Sequence, residues 1–179
     1  VPISMPAAAQ SPGQVPGQAP AQMPAPLPES AAEAPFHFAL AKILLGEGNV
    51  GGALAELERA TELAPGDPYI RLEYADLLAR LAQSQRQAGA RERQLARAAE
   101  QVDAARRAAP DNLDVLAATG DVYLALADYR PGAVEVALEA LERVRSREPW
   151  NIQAMVSLGQ IHRARGDAAE AAKVFDEVL

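Results

Sequence analysis

The chain contains no cysteine among its 179 residues, so disulfides, thiolate metal ligands and a cysteine nucleophile are excluded. Histidine is nearly as scarce: only His37 and His162 are present, far apart in the chain, and both read as helix-packing residues. Nothing resembles a nucleophile elbow, an HExxH helix or a phosphate loop, and Gly46-Glu47-Gly48 lacks the third glycine and the strand of a dinucleotide loop. Acidic pairs such as Glu56 and Glu58 read as solvated helix faces rather than as acid–base pairs. No catalytic residue, cofactor or metal is therefore expected, and an enzyme is not the expected reading. No run of about 18 apolar residues occurs, so no transmembrane helix is expected. Positive charge is also in deficit: 17 Lys and Arg stand against 24 Asp and Glu, a net charge of −7. A phosphate backbone requires the opposite balance, and no nucleic-acid partner is expected.

Alanine and leucine supply most of the apolar mass, while aromatic residues make up only 4%. Both are strong helix formers, and small alanines let helices approach closely, so the composition predicts an all-α protein.

Proline divides the chain. Eight of the fourteen prolines fall in residues 1–34, a stretch with only two charges, Glu29 and Glu33. Pro12, Pro16, Pro20, Pro24 and Pro28 recur every four residues. Proline fixes φ and removes an amide donor, and too little apolar surface is present to offset the entropy of ordering. Residues 1–34 are thus expected to be a disordered tether. No PxxP core with a flanking basic residue is present, so a spacer is preferred over a Pro-motif ligand. The chain opens on valine rather than methionine, which reads as a processed or excised chain. Met5-Pro6-Ala7-Ala8-Ala9 has the small-residue end of a secretory leader, although an Ala/Pro linker is the preferred reading. The compartment is left open, with a leaning toward an exported bacterial setting.

From Phe36 onward proline falls near turns: Ala-Pro-Gly-Asp at Pro65, Ala-Pro-Asp-Asn at Pro110, Glu-Pro-Trp-Asn at Pro149. Counting back from each gives one pattern. Five before stand Ala60, Ala105 and Val144; eight before, Leu57, Val102 and Leu141; twelve before, Ala53, Ala98 and Ala137. Phe175 and Ala171 repeat the last two. In the preceding half of each unit Ala41, Ala75, Gly120 and Gly159 follow Leu40, Tyr74, Thr119 and Leu158. Leu44, Leu78, Tyr123 and His162 come three later. Small residues at a crossing let two helices approach, and bulky ones fill the groove between them. Helices are predicted near 35–47, 50–63, 67–87, 90–109, 112–127, 132–147, 151–165 and 167–179.

This pattern resembles the tetratricopeptide repeat, a helix–turn–helix unit of 34 residues. The resemblance implies a right-handed superhelical solenoid over 35–179 with about four units: 35–67, 68–112, 113–151 and 152–179, the last incomplete. The second unit carries about eleven extra residues around Ala82–Glu92, expected to lengthen both of its helices, relative to the family repeat. The third carries about five around Ala127–Gly132, expected to form a longer loop with proline starting the next helix.

The family also implies a binding groove lined by the first helix of each unit. Carried onto this chain, the first unit offers Phe38 and Lys42, the second Tyr69, Leu72 and Asp76, and the third Asp114 and Asp121. The fourth offers Val156, Gln160 and Arg163. The mixture of apolar and acidic residues suits a protein or peptide partner with apolar anchors and a basic residue. Some family members grip a chaperone's C-terminal carboxylate with Lys and Asn. Here those positions hold Lys42, Asp76, Asp121 and Gln160, so that role is not expected. A second candidate is a docking patch on the lengthened hairpin, where Arg86, Arg91 and Arg93 join Arg80 and Arg97 against a single Glu92. The expected function is a protein-interaction scaffold or adaptor; the alternative is a structural module that self-associates. The chain stops inside its final helix, so further repeats or another domain are expected to follow. Ala172, Phe175, Val178 and Leu179 are expected to form an exposed apolar face there, suited to self-association, with Ala168 and Ala171 packed inward.

Overall fold

A computed structural model of the protein describes residues 29–177, with side chains from residue 33. Most of the predicted tether, residues 1–28, and Val178 and Leu179 lie outside the described residues. The described residues form eight helices and no strand. These are α1 (Glu29–Gly46), α2 (Val50–Leu63), α3 (Pro68–Ser84), α4 (Ala88–Ala108), α5 (Leu113–Ala125), α6 (Ala133–Arg147), α7 (Ile152–Arg165) and α8 (Ala168–Asp176).

From the second unit on, the first helix of each unit starts three residues after the repeat proline, and one device recurs there. Asp67, Asn112 and Asn151 are N-caps whose side chains accept from the backbone amides of Ile70, Val115 and Ala154 at 3.2, 3.1 and 3.0 Å. These bonds satisfy amides that the helix itself leaves without acceptors. Inside the first and last hairpins the stop signal is glycine. Gly48 and Gly166 adopt φ of +77° and +84°, a left-handed conformation that costs other residues strain.

The first helix begins at Glu29, six residues before the expected start, so 29–34 belong to the helix and not to a tether. The residues explain the difference: Glu29-Ser30-Ala31-Ala32-Glu33-Ala34 combines strong helix formers with acidic charge near the positive end of the helix dipole. Pro35 sits within the helix, and Ala34 is buried against Ala60 and Ile70. In the third unit the helix starts after Pro131, at Ala133, because Gly132 takes the left-handed conformation at its N-cap.

The repeat pattern is the core. Ala53, Leu57, Ala60, Ala98, Val102, Ala105, Ala137, Leu141 and Val144 are all 0% exposed. Each hairpin packs on itself and then on the next, through α2–α3, α4–α5 and α6–α7. The first helices of successive hairpins also touch, α3 with α5 and α5 with α7, and so form the inner layer of the solenoid. The glycines explain how helices close up in the last two hairpins. A Cβ at Gly120 would lie 2.4 Å from Leu141, and one at Gly159 2.4 Å from the Phe175 ring.

The second hairpin is longest, with helices of 17 and 21 residues against 13 and 15 in the third. The insertion therefore adds roughly one turn to the first helix and more to the second.

Four expectations need correction. His37 is not a plain packing residue, nor is Glu56 on a fully solvated face: His37 Nδ1 and Glu56 Oε2 pair at 2.6 Å between α1 and α2, both partly buried. At the C-terminal helix Phe175 turns inward onto Gly159, and Val174 is buried. Ala168 is exposed where it was expected to pack; of the anticipated outer face, Ala172 is exposed and Phe175 partly buried among the described residues. No helix of the described residues is long and apolar enough to cross a membrane.

Candidate functional site

The inner layer carries two adjoining hollows. The first, of about 440 Å³, is lined by Phe38 from α1, by Tyr69, Leu72, Glu73 and Asp76 from α3, and by Asp114 and Ala118 from α5. Tyr69, Glu73 and Asp76 are four and three residues apart, so one helix face presents them together. Tyr69 is 59% exposed, whereas Phe38 and Leu72 are half-buried and pack against the core. Lys42 stands at this wall, with Nζ donating to Glu73 at 2.8 Å. Glu73 was absent from the family-based set, although its spacing from Tyr69 and Asp76 marks the same face.

The second hollow, of about 280 Å³, shares Leu72, Asp76 and Ala118 with the first. It adds Arg80, Gln83, Arg91, Leu95, Asp121 and Val122, among others. Arg80 pairs with Asp76 one turn before it on α3. Asp121 accepts from Ser157 Oγ at 2.9 Å, a bond that ties α5 to α7. Solvent reaches Asp121, yet loss of water around it pushes its carboxyl above the usual carboxylate range, against the pull of hydrogen bonds from Ser157 and Gln153.

The structure thus brings together Phe38, Tyr69, Leu72, Asp76 and Asp114 around one hollow, and Asp121 joins Leu72 and Asp76 around the other. Val156, Gln160 and Arg163 lie further along on α7, half-buried, exposed and exposed, outside both hollows. The arginines of the lengthened hairpin do not share one face. Arg86 lies in the turn before α4 and Arg93 on the outside of the helix, both exposed. Arg91 lines the second hollow. Arg97 reaches the other way, bonding the Tyr74 hydroxyl and Glu58 of α2. Residues two apart on a helix point about 200° apart, so Arg91 and Arg93 cannot share a face.

Two tetratricopeptide repeat family profiles match the chain, over residues 34–77 and 124–179. The unmatched interval holds most of the lengthened hairpin. A comparison with curated proteins finds no relative. Among solved structures, a double mutant of MamA from RS-1 is similar at a TM-score of 0.66 with 17% identity, covering 84% of this chain and 75% of its own. TTC0263, a thermophilic TPR protein of Thermus thermophilus, gives a TM-score of 0.61 with 20% identity over 82% of this chain and 73% of its own. The first TPR of Spaghetti (RPAP3), bound to the HSP90 peptide SRMEEVD, gives 0.62 with 19% identity over 76% of this chain and 95% of its own. The fold they share is the right-handed superhelical solenoid of helix hairpins. With the repeat positions before each proline fully buried and family matches on both sides of the insertion, this chain belongs to the tetratricopeptide repeat family.

Proposed function

We propose that the chain is a protein-interaction module whose concave face takes a segment of a partner protein. An apolar side chain of that segment seats over Phe38, Tyr69 and Leu72, and a basic side chain faces Glu73, Asp76 and Asp114. The observation that carries this reading is Tyr69, a large aromatic left 59% exposed at the mouth of the first hollow. Exposed aromatics beside a depression are the residues that most often dominate binding energy once covered. The fold is one that binds a peptide in a neighbour, RPAP3, whose ligand SRMEEVD is rich in acid. In the first hollow Glu73 and Asp76 are paired with Lys42 and Arg80, and Asp114 leaves the hollow net acidic, so its charge opposes such a ligand. A basic, apolar segment suits it better.

Selection from a random octapeptide library on the immobilised protein tests this. Winners should combine an aromatic or aliphatic residue with Lys or Arg. Tyr69→Ala should weaken them at least about fivefold, the equivalent of losing about 1 kcal/mol, at unchanged helicity. Winners lacking basic residues, or binding Tyr69→Ala as tightly as the parent, would sink the reading.

A further inference from the structure

In the second hollow, Arg91 alone among the charged lining residues has no partner. Arg80 is held by Asp76, and Asp121 is turned toward α7 by Ser157. The Nε of Arg91 is buried and makes no hydrogen bond, and one turn along α4 the Oε1 of Gln94 is in the same condition. A buried donor without an acceptor is uncommon in folded proteins, because its lost hydration is not replaced. The walls around Arg91 are mostly apolar, with Leu72, Ala75, Leu95, Ala118 and Val122 among them. An ion pair formed there is screened less than one in open water.

We propose that Arg91 forms a carboxylate-binding subsite in the second hollow, which receives an Asp or Glu side chain of the partner segment. This rests on the groove being a peptide site. A carboxylate matches the planar guanidinium, which offers paired N–H donors in a fixed fork. A phosphate dianion suits the hollow less well, since Asp76 and Asp121 share its wall and repel the second charge. The two hollows adjoin through Leu72, Asp76 and Ala118. The hollows follow one another along α3, centred about six residues or about 9 Å apart, the reach of roughly three extended residues. The partner segment therefore carries its acidic residue about three positions from the basic one. Arg91 belongs to the segment that lengthens the second hairpin, so this subsite is a product of the insertion.

The test uses octapeptide pools selected on the parent protein and on Arg91→Gln. The parent pool should show Asp or Glu at a fixed spacing of about three residues from Lys or Arg. The Arg91→Gln pool should keep the apolar and basic preferences and lose the acidic one. A synthetic parent-pool winner should lose at least about fivefold in affinity for the parent protein on Glu→Gln substitution in the peptide, and lose nothing for Arg91→Gln. The peptide half of this cycle needs no protein variant, and so holds even if Arg91→Gln unfolds. An equal loss on both proteins, or a parent pool without a fixed acidic position, overturns the proposal while leaving the groove reading intact. A library that yields no winner overturns both.

Discussion

The ring of Phe175 lies against the Cα of Gly159, so close that a methyl group on that carbon would fall 2.4 Å from it. The same relationship holds between Leu141 and Gly120 one hairpin earlier. In an exposed helix interior, Gly→Ala stabilises by about 0.5–1 kcal/mol. At Gly120 the added carbon meets the branch point of a fully buried leucine, and overpacking costs about 1–3 kcal/mol. Gly120→Ala should therefore lower stability in urea melts, whereas Gly51→Ala, with open space around it, should not. A stabilised Gly120→Ala would show that the crossing is looser than the structure has it.

Tyr69 and Leu72 sit three residues apart in the groove, yet their removal should read differently. Tyr69 is mostly in water, and Tyr69→Ala should change stability by less than about 0.5 kcal/mol. Leu72 is half-buried against the core, and Leu72→Ala should cost about 1–2 kcal/mol, short of a fully buried leucine. Thermal melts of the two variants decide this. Equal losses would place the Tyr69 ring in the core.

Asp121 gives stability a pH dependence of a definite sign. Its carboxyl is raised in the folded state by loss of water, so the folded chain holds the proton to higher pH than the unfolded chain. Stability from this site is greatest below the ordinary aspartate value of about 3.9 and declines as pH rises from there through the raised folded value. Asp121→Asn retains an acceptor for Ser157 and removes the charge. Its melting temperature relative to the parent should be higher at neutral pH than in acid. A relative melting temperature that moves the opposite way would mean that the hydrogen bonds outweigh the loss of water.

Arg86 and Arg93 are exposed, and neither is held in an ion pair among the described residues. Arg86→Glu with Arg93→Glu should therefore leave the melt within about 1 kcal/mol of the parent. Peptides selected on the parent should bind this double variant unchanged, since neither residue lines a hollow. Weakened binding would assign the outer arginines a docking role.

The repeat was legible because burial and sequence share one period: every position counted back from Pro65, Pro110 and Pro149 is fully buried. Phe38, Tyr69, Leu72, Asp76 and Asp114 could be placed on one surface because the resemblance to the repeat family implies which positions of each first helix line the groove; helix spacing alone relates only the three on α3. The inward turn of Arg91 was less accessible. Five arginines near one another read as a patch by composition, and only the start of α4 and its angle to α3 decide which of them enters the groove. The early start of α1 was hidden by Pro35, which marks a helix boundary more often than a helix interior. The partner of His37 was hidden as well, since Glu56 lies nineteen residues away and only the crossing of α1 and α2 joins them.

The long second hairpin has a kinetic consequence. In a solenoid each unit touches only its neighbours, so folding starts wherever local contact is richest and spreads from there. α3 and α4 share the most extensive helix–helix interface among the described residues, and their contacts close over a three-residue turn at little cost in loop entropy. That hairpin is the expected seed. Amides of α3 and α4 should gain protection first in pulsed hydrogen exchange, with α1–α2 and α5–α6 condensing onto them. On that order, the insertion that shapes the groove would also time its assembly, with the walls complete only after both flanking hairpins have docked.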